Sequence, residues 1–356
     1  MRGSNVLVLS FVGALLPTCT SGSAGDGDAT AAASSNAEHA ATTTASSEGV
    51  DATTQGTGPT TDGGITTGAD VTGTASGSTT ADVDVGSVPG DWPGPDNTGV
   101  PRGTRLTPYD GPCTIDVDGT VIDAKTVSCD LVIHAADVVI QNSMIQGLVF
   151  LDTDLEGSSA WSFTLQDSEV DGGAQQRAVV SAGNMTVLRA NIHGGITAVQ
   201  GEEKSVSCHV EDSWLHGQYL PDDQPWHLGG FLSDGGHNMR LIHNNIICDH
   251  AVNSLGEGCT GDLNLIPNFA TISDVVIEYN FFGANEGSAY CTYGGERSDS
   301  PYPHADHVAY RHNVWERGTN GTCAAYGPVT SFNVDGEGNE WVDNTWEDGE
   351  EVPPEN

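Results

Sequence analysis

A short pattern recurs eight times between residues 138 and 349, and it constrains the fold more than any other feature of the chain. Each copy alternates apolar and polar residues, then places a Ser, Ala or Asn, then an apolar residue two positions later. The central residues are Ser143, Ser168, Ala190, Ser213, Asn245, Asn280, Asn313 and Asn344. Successive central residues are separated by 25, 22, 23, 32, 35, 33 and 31 residues. Alternation with period two predicts a strand in every copy.

Two apolar columns persist through all eight copies. The first column lies three residues before the central residue and contains Ile140, Leu165, Val187, Val210, Ile242, Ile277, Tyr310 and Trp341. The second column lies two residues after the central residue and contains Ile145, Val170, Ile192, Leu215, Ile247, Phe282, Trp315 and Trp346. Steps of 22–25 residues suit one coil of a parallel solenoid, and crossovers between parallel strands are right-handed. We therefore predict an all-β fold, a right-handed parallel β-helix. A β-propeller needs about four strands per unit, whereas these copies offer two or three.

The central residues change from Ser and Ala to Asn along the chain. We expect the late Asn side chains to stack as an amide ladder inside the turns. The step also lengthens after Ser213, so the extra residues must leave the coils as loops, roughly 218–238, 250–273, 284–305 and 318–338. Repeat insertions commonly project on one side and build a binding face.

The first residues of the sequence predict an export signal. Arg2 precedes an apolar run at 5–16 that is too short to span a bilayer. Residues 1–18 resemble a bacterial lipoprotein signal, with Cys19 as the lipid-bearing residue; the alternative is an ordinary secretory signal with Cys19 incidental. Thr20 favours the outer membrane or cell surface over inner-membrane retention, and without lipidation we expect an extracellular protein.

Residues 19–90 contain mostly Thr, Ser, Gly, Ala and Asp. A segment so poor in large apolar residues cannot offset its ordering entropy, so we predict a disordered stalk. Residues 91–356 then form the β-helix domain, which would contact a membrane only through the lipid anchor. Its oligomeric state stays open.

The charge balance restricts the partners. The chain carries 49 Asp and Glu against 11 Lys and Arg, a net charge of -38. Nine acids and one base lie in residues 1–90, so most of the excess belongs to the domain. Nucleic acid is excluded, because neutralising phosphates requires basic residues. A polysaccharide or surface glycan fits better; an anionic one would need bridging cations or salt, and a neutral one would not.

Seven further cysteines lie in the domain. Proximity in the sequence suggests the disulfides Cys113–Cys129, Cys248–Cys259 and Cys291–Cys323, although spacing alone does not fix the connectivity. Cys208 is left over in a strand-like segment, where we expect it to be a small buried apolar residue.

Several segments resemble a known group of proteins. The entry segment DWPGPDNTGVPRGTRLTPYDGPCTI, the segment TVIDAKTVSCDLVIHAADVVIQNS, and YGPVTSF with NTWEDG are similar to exported bacterial right-handed parallel β-helix proteins of the pectate-lyase-like type. The resemblance covers residues 91–356 and implies the fold. That wider group includes polysaccharide lyases, glycoside hydrolases, epimerases and phage tailspikes. The pectate-type lyases of that group combine calcium-binding acids with an Arg or Lys base, so the resemblance implies Ca²⁺ as a cofactor. Lys204 and Arg240 are the candidate bases. We expect both of them near the histidines described next.

The best candidate for chemistry is a row of titratable residues. Asp171, His193 and His216 each lie three residues after a centre in consecutive coils. Stacked strands are about 4.8 Å apart, so the two imidazoles should lie side by side. Histidine pairs supply proton-transfer groups near neutral pH; the alternative is a solvated polar row. We take His193, His216 and His227, with Lys204 and Arg240, as candidate catalytic residues.

Candidate substrate-binding residues surround this row. They are Asp171, Trp214, Gln218, Asp222, Asp223, Trp226 and His243. Trp214 and Trp226 could stack on sugar rings, or they could pack within loops. His243 is expected in an outward column between Glu211 and Glu278, where a charge ladder is the alternative to sugar binding. No metal ligands are identified.

Three functions fit the sequence. The first is a carbohydrate-active enzyme, most concretely a polysaccharide lyase; the second is a non-catalytic glycan-binding or adhesion module; the third is a glycoside hydrolase on a neutral polysaccharide. One groove holding Asp171, His193, His216 and His227 would favour an enzyme. Scatter of these residues over different faces would favour a binding module.

Overall fold

The computed structural model describes residues 92–354. The proposed signal at 1–18, the stalk at 19–90 and Cys19 lie outside the described residues. The described chain contains 28 short strands and a single 3₁₀ turn, Ser158–Ala160. Within residues 92–354, no helix is long and apolar enough to cross a membrane.

The strands follow one another in a cycle of three. The first four coils contain β1 Thr107–Pro108, β2 Thr114–Ile115, β3 Val121–Asp123, β4 Lys125–Val127, β5 Leu131–Ile133, β6 Val138–Gln141, β7 Met144–Gln146, β8 Val149–Leu151, β9 Phe163–Gln166, β10 Glu169–Asp171, β11 Ala178–Ser181 and β12 Met185–Leu188. The next three contain β13 Asn191–His193, β14 Thr197–Gly201, β15 Cys208–Glu211, β16 Trp214–Leu215, β17 Leu228–Ser233, β18 Gly236–Ile242, β19 Asn245–Ile246, β20 Cys259–Leu265 and β21 Ile272–Glu278. The last contain β22 Phe281–Phe282, β23 Tyr290–Gly294, β24 Asp306–Arg311, β25 Val314–Trp315, β26 Gly327–Thr330, β27 Glu340–Val342 and β28 Thr345–Trp346.

Every third strand joins the same sheet. Sheet 1 runs from β1 through β4 and β7 to β28 and has ten strands, sheet 2 runs from β2 to β26 with nine, and sheet 3 runs from β3 to β27 with nine. All pairings within the three sheets are parallel. This is the predicted right-handed parallel β-helix, and the expected fold class is confirmed.

The core fills the space between the three sheets. Each coil adds an inward residue from sheet 3 and one from sheet 1, for example Val187 with Ile192, and both are fully buried. Burying one such side chain contributes about 1.5–3 kcal/mol, so the stability of the stack comes from the repetition of these columns. Toward the carboxyl end the columns become aromatic, and Tyr310, Trp315 and Trp341 pack against one another.

The turn from sheet 3 to sheet 1 places one residue in the left-handed region in every coil, with φ between 48° and 55°. From Asn142 onward this residue is followed by a buried ladder residue, whereas in the first coil Ala124 is followed directly by β4. The left-handed residues are Ala124, Asn142, Asp167, Arg189, Asp212, His243, Tyr279, His312 and Asp343. From the second coil onward the turn therefore needs only two residues, and it keeps the two sheets in a fixed register.

The expected amide ladder is present, but one member was misassigned. The fifth ladder residue is Asn244, which is fully buried, and not Asn245, which begins β19 on the outside of sheet 1. Its inward partners are accordingly Leu241 and Ile246 in place of Ile242 and Ile247. Asn244 followed by Asn245 allowed either alignment, because both frames place apolar residues in the two columns.

Three disulfides cross-link segments of the coils. Cys113 is bonded to Cys129, Cys248 to Cys259, and Cys291 to Cys323, which are the pairs suggested by proximity in the sequence. Cys208 is a free, buried thiol in β15. Burial raises the pKa of Cys208 to about 12, so the expected structural role of this residue is confirmed.

Candidate functional site

Asp171, His193 and His216 form a row on the outer face of sheet 1, which we call the histidine row. Asp171 pairs in register with His193, and the next strand places His216 beside His193. The imidazole centroids of His193 and His216 are 5.5 Å apart. Glu169 lies on the same face and accepts a 3.2 Å hydrogen bond from His193 Nε2.

The two imidazoles have opposite electrostatic environments. The hydrogen bond to Glu169, helped by the charge of Asp171, raises the pKa of His193. Burial, together with the neighbouring His193, lowers the pKa of His216 to about 4. At neutral pH His216 is therefore uncharged, and its Nε2–H donates a 2.8 Å hydrogen bond to Asn191 Oδ1.

Trp214 does not offer an open face beside this row. Its ring stacks on His216 with a centroid distance of 3.4 Å and an interplanar angle of 13°. The entry segment also crosses this side of sheet 1, because the backbone N–H of Gly99 donates to the Arg189 carbonyl and Pro93 accepts a hydrogen bond from Asn245. The stacking therefore supports the loop-packing alternative for Trp214 over sugar binding.

His243 lies in a different position from the one expected. Ile242, and not His243, occupies the column between Glu211 and Glu278. His243 is the left-handed residue of its turn, since the ladder residue of this coil is Asn244. Its Nδ1 lies 2.6 Å from Asp212 Oδ1, and its ring stacks with Trp92. The predicted charge-ladder position is therefore wrong.

The candidate bases are not close to the histidine row. Lys204 follows sheet 2 in its coil and forms an ion pair with Asp154. Arg240 lies on sheet 3 and donates to Asp274 Oδ1 at 3.0 Å. Both expected placements beside the imidazoles are wrong, because the chain turns through another sheet between these residues and the row.

Most of the remaining loop candidates have structural partners. The Gln218 side chain is buried and donates to the Ile247 carbonyl. Trp226 packs against a small cluster that includes Leu220, Leu228 and the Cys248–Cys259 disulfide. Asp222 accepts hydrogen bonds from the Ser254 backbone and hydroxyl.

Asp223 makes a local contact. It is exposed and accepts a 3.3 Å hydrogen bond from Gln224 beside it in the sequence. The substrate-binding role predicted for these loop residues stays a prediction.

His227 lies in a second region, a cleft on sheet 2. This cleft has a volume of about 600 Å³. Its lining residues are Thr197, His227, Leu228, Gly229, Leu232, Asp234, Gly256, Glu257, Gly258, Cys259, Thr260, Asn264, Ile266, Asn268, Gly287, Ala289 and Tyr293. We call it the sheet 2 cleft.

Three neighbouring strands contribute matched residues to this cleft. Leu232 in β17 pairs in register with Asn264 in β20, which pairs with Tyr293 in β23. Asn264 Oδ1 is buried and has no hydrogen-bond partner among the described residues. A Cβ at Gly229 would lie 2.6 Å from Asn264 Nδ2, so only glycine leaves space for this amide.

Two acidic residues lie at opposite edges of the cleft. Asp234 follows the end of β17, and burial raises its pKa although Asn268 donates to it at 2.6 Å. Glu257 precedes β20, and its Oε2 lies 3.7 Å from His227 Nδ1. No Lys or Arg is present among the described residues that line the cleft.

One wall of the cleft is a pair of loops tied together. Asn253 Nδ2 donates to the carbonyls of Pro221 and Gln224, which joins loop 249–258 to loop 216–227. The same residue accepts a hydrogen bond from the backbone of Glu257. The Cys248–Cys259 disulfide closes the base of this loop, so the Glu257 backbone is held by several contacts.

Sequence reasoning found His227 but missed Asp234, Glu257, Asn264 and Tyr293. These residues come from separate loops and strands, and none has a motif spacing. The signal that pointed toward them was the lengthening of the repeat after Ser213, because the inserted segments at 218–238 and 250–273 supply most of the residues that line the cleft.

One buried cluster outside both regions brings an acid close to sulfur atoms. Ligand atoms of Asp262, Cys291 and Cys323 lie within 4.8 Å of one another. The two cysteines form a disulfide, so their sulfurs are not available as thiolate ligands. Burial raises the pKa of Asp262 well above its ordinary value.

Comparisons of the chain with models of protein families, with curated proteins and with solved structures found no match. The resemblance to pectate-lyase-like proteins is therefore supported by the fold, a parallel β-helix, and by no identified relative.

Proposed function

We propose that this protein is a surface glycan-binding module that holds a neutral saccharide in the sheet 2 cleft. The observation that carries the proposal is the cleft itself, which is large enough for a small oligosaccharide and combines apolar with polar side chains. The elongated β-helix supports such a site by giving it a rigid sheet as its floor.

The lining suits the chemistry of sugars. A sugar ring presents a C–H face, which matches the aromatic Tyr293 and the apolar Leu232, and hydroxyls, which match hydrogen-bonding groups such as Asn264 and Asn268. Asn264 is held in place by its Nδ2, which donates to the Gly261 carbonyl at 2.9 Å.

The charges favour a neutral glycan over an anionic one. Asp234 and Glu257 line the cleft without a Lys or Arg among the described lining residues, and the whole chain has a net charge of -38. A uronate would meet repulsion that salt or cations must screen. A neutral saccharide has no such cost.

The positions of the predicted catalytic residues support binding over cleavage. His193 and His216 lie on sheet 1 and His227 lies in the cleft on sheet 2, while Lys204 and Arg240 are ion-paired elsewhere. A lyase of the predicted type needs an Arg or Lys base beside the substrate, and neither Lys204 nor Arg240 lines the cleft.

A glycosidase mechanism is also not supported. Catalytic carboxylates are about 5–10 Å apart. Asp234 and Glu257 lie beyond opposite ends of strands such as β20, which has seven residues and so spans roughly 20 Å. This separation is too large for an acid–base pair acting on one glycosidic bond.

The test is a binding panel of purified full-length protein against soluble neutral glucans, mannans and galactans, and against polygalacturonate and alginate with and without EDTA. We expect binding to at least one neutral glycan, little change with EDTA, and at least a tenfold loss in Tyr293→Ala. Tyr279→Ala is the matched control, because Tyr279 is an exposed tyrosine in a turn and not in the cleft. Binding restricted to anionic glycans, or release of reducing ends or unsaturated uronates, would contradict the proposal.

Export and surface anchoring are part of the same proposal. Three disulfides support an oxidising compartment, and the sequence of residues 1–18 supports a lipoprotein signal. Mass spectrometry of the mature amino terminus tests this directly: we expect a lipid-modified Cys19, and an unmodified terminus at another residue would contradict it.

A further inference from the structure

We propose that the sheet 2 cleft continues into a second saccharide subsite formed by the rings of Tyr290 and Tyr326, which we call the tyrosine shelf. The protein would then bind neutral glycan chains that extend beyond the cleft itself. This inference rests on the proposed function, because the shelf takes the part of the glycan that leaves the cleft.

Three tyrosine rings form a continuous path out of the cleft. Tyr293 lines the cleft, and its ring centroid lies 6.0 Å from that of Tyr290. The Tyr290 centroid in turn lies 5.9 Å from that of Tyr326. Aromatic pairs interact at centroid distances of about 4.5–7 Å, so each ring contacts the next. A glycan that contacts Tyr293 therefore has the shelf as its next aromatic surface.

The shelf extends the cleft toward the carboxyl end of the β-helix. The outer face of the cleft is formed by Leu232 of β17, Asn264 of β20 and Tyr293 of β23. Tyr326 immediately precedes β26, which is the next strand of sheet 2. Neighbouring strands are about 4.8 Å apart, so the shelf lengthens the binding surface by about one strand. A glycan on both parts would lie across the strands.

Backbone contacts hold Tyr326 beside the cleft. Its N–H donates to the carbonyl of Ala289 at 2.9 Å, and Ala289 lines the cleft. Tyr290 pairs in register with Gly327, the residue that follows Tyr326. The Cys291–Cys323 disulfide also joins β23 to the loop that carries Tyr326. Because the two rings are positioned before a ligand arrives, binding has a small ordering cost.

The exposure and chemistry of the shelf suit a saccharide. Tyr326 is 71% exposed, and Tyr290 is partly buried between Tyr293 and Tyr326. A tyrosine ring packs on the C–H face of a sugar, and its hydroxyl can donate or accept a hydrogen bond. Tyrosine also supplies a large contact area for only two side-chain torsions. An exposed aromatic cluster that continues from a cleft is the kind of patch that marks a binding surface.

Titration calorimetry of the full-length protein with gluco-, manno- and galactooligosaccharides, from disaccharide to hexasaccharide, tests the shelf. In the series that binds, we expect affinity to rise at least tenfold from the trisaccharide to the hexasaccharide. Tyr326→Ala should lose most of this increase and keep the trisaccharide affinity within about twofold, which also shows that the variant is folded. Tyr326→Phe should keep most of the increase, because it keeps the ring.

Tyr279→Ala is the matched control. Tyr279 is an exposed tyrosine that also stacks on a neighbouring ring, that of His312, but it lies in a turn between sheets 3 and 1. Its substitution should leave both affinities unchanged.

Nitration by tetranitromethane gives a second readout that requires no substitution. The hexasaccharide should protect the peptide that contains Tyr326 from nitration, whereas the trisaccharide should not. Equal affinity for the two lengths, or a length dependence that persists in Tyr326→Ala, would overturn the shelf and leave the cleft proposal standing. Absence of binding to every saccharide would overturn both proposals.

Discussion

Asn244 Nδ2 donates a 3.0 Å hydrogen bond to Asn280 Oδ1, and this contact links two successive coils inside the turn between sheets 3 and 1. Asn280 continues the ladder to Asn313 at 3.1 Å, and Asn313 continues it to Asn344 at 3.0 Å. Each amide also bonds to the backbone of neighbouring coils. The ladder therefore satisfies buried backbone groups that would otherwise be left without partners.

We predict that Asn244→Ala destabilises the domain by about 3 kcal/mol, because it leaves several buried donors and acceptors unsatisfied. The adjacent Asn245→Ala should cost only about 1 kcal/mol, since Asn245 makes a single hydrogen bond to Pro93 from a partly buried position. Urea unfolding of the two variants measures the difference. Equal losses would contradict the assignment of Asn244 to the ladder.

Asp262 should make stability depend on pH. Its folded-state pKa is raised well above its ordinary value by burial, so the folded state retains a proton that the unfolded chain loses near pH 4. The ionisation of Asp262 therefore does not lower the free energy of unfolding below about pH 4, and it lowers that free energy progressively as the pH rises toward the folded-state pKa.

Asp262→Asn removes this loss, because the amide does not ionise. We expect the change in the free energy of unfolding caused by the substitution to be more favourable at pH 8 than at pH 4, as measured by urea unfolding at both pH values. Asp223→Asn, at an exposed acid, should show no such difference. An Asp262→Asn effect independent of pH would show that Asp262 is ionised in the folded protein.

The Cys248–Cys259 disulfide should matter for ligand binding as well as stability. Replacing both cysteines by Ala should cost about 3 kcal/mol by the chain-entropy estimate for a short loop. It should also weaken glycan binding, because loop 249–258 carries Glu257 into the cleft. The Cys113–Cys129 pair is the control: its removal should cost a similar free energy and leave glycan affinity unchanged.

Cys208 should be inert in the folded protein. Its thiol is buried, and its pKa is raised to about 12, so little thiolate exists at neutral pH. Iodoacetamide should leave the peptide containing Cys208 unlabelled in native buffer and label it in concentrated urea. Native labelling at a rate typical of exposed thiols would contradict this burial.

The fold was predictable because its information is local and repeated. The alternation around Ser168 or Asn313 predicts a strand in each copy, and eight aligned copies predict the solenoid. The error at Asn245 arose because Asn244 and Asn245 both suit a turn, and only the burial of the coil distinguishes them. The local sequence does not show which of the two residues is buried.

The candidate sites were less predictable. The histidine row depends on register between consecutive coils, which the repeat supplies for His193 and His216. The cleft depends on where the inserted loops between sheets 1 and 2 lie, and loop lengths do not specify contacts such as Asn253 with Pro221. For the same reason Lys204 and Arg240, close to the row in sequence, lie on other faces of the coil.

The most direct test of the central claim is to locate a bound glycan on the folded domain. Hydrogen–deuterium exchange of the full-length protein should be measured with and without a neutral oligosaccharide identified in the binding panel. We predict slower exchange in loop 256–260 and around Tyr293, with no change at His193 and His216 on sheet 1. Protection confined to sheet 1 or sheet 3, with sheet 2 unaffected, would contradict a glycan site in the sheet 2 cleft.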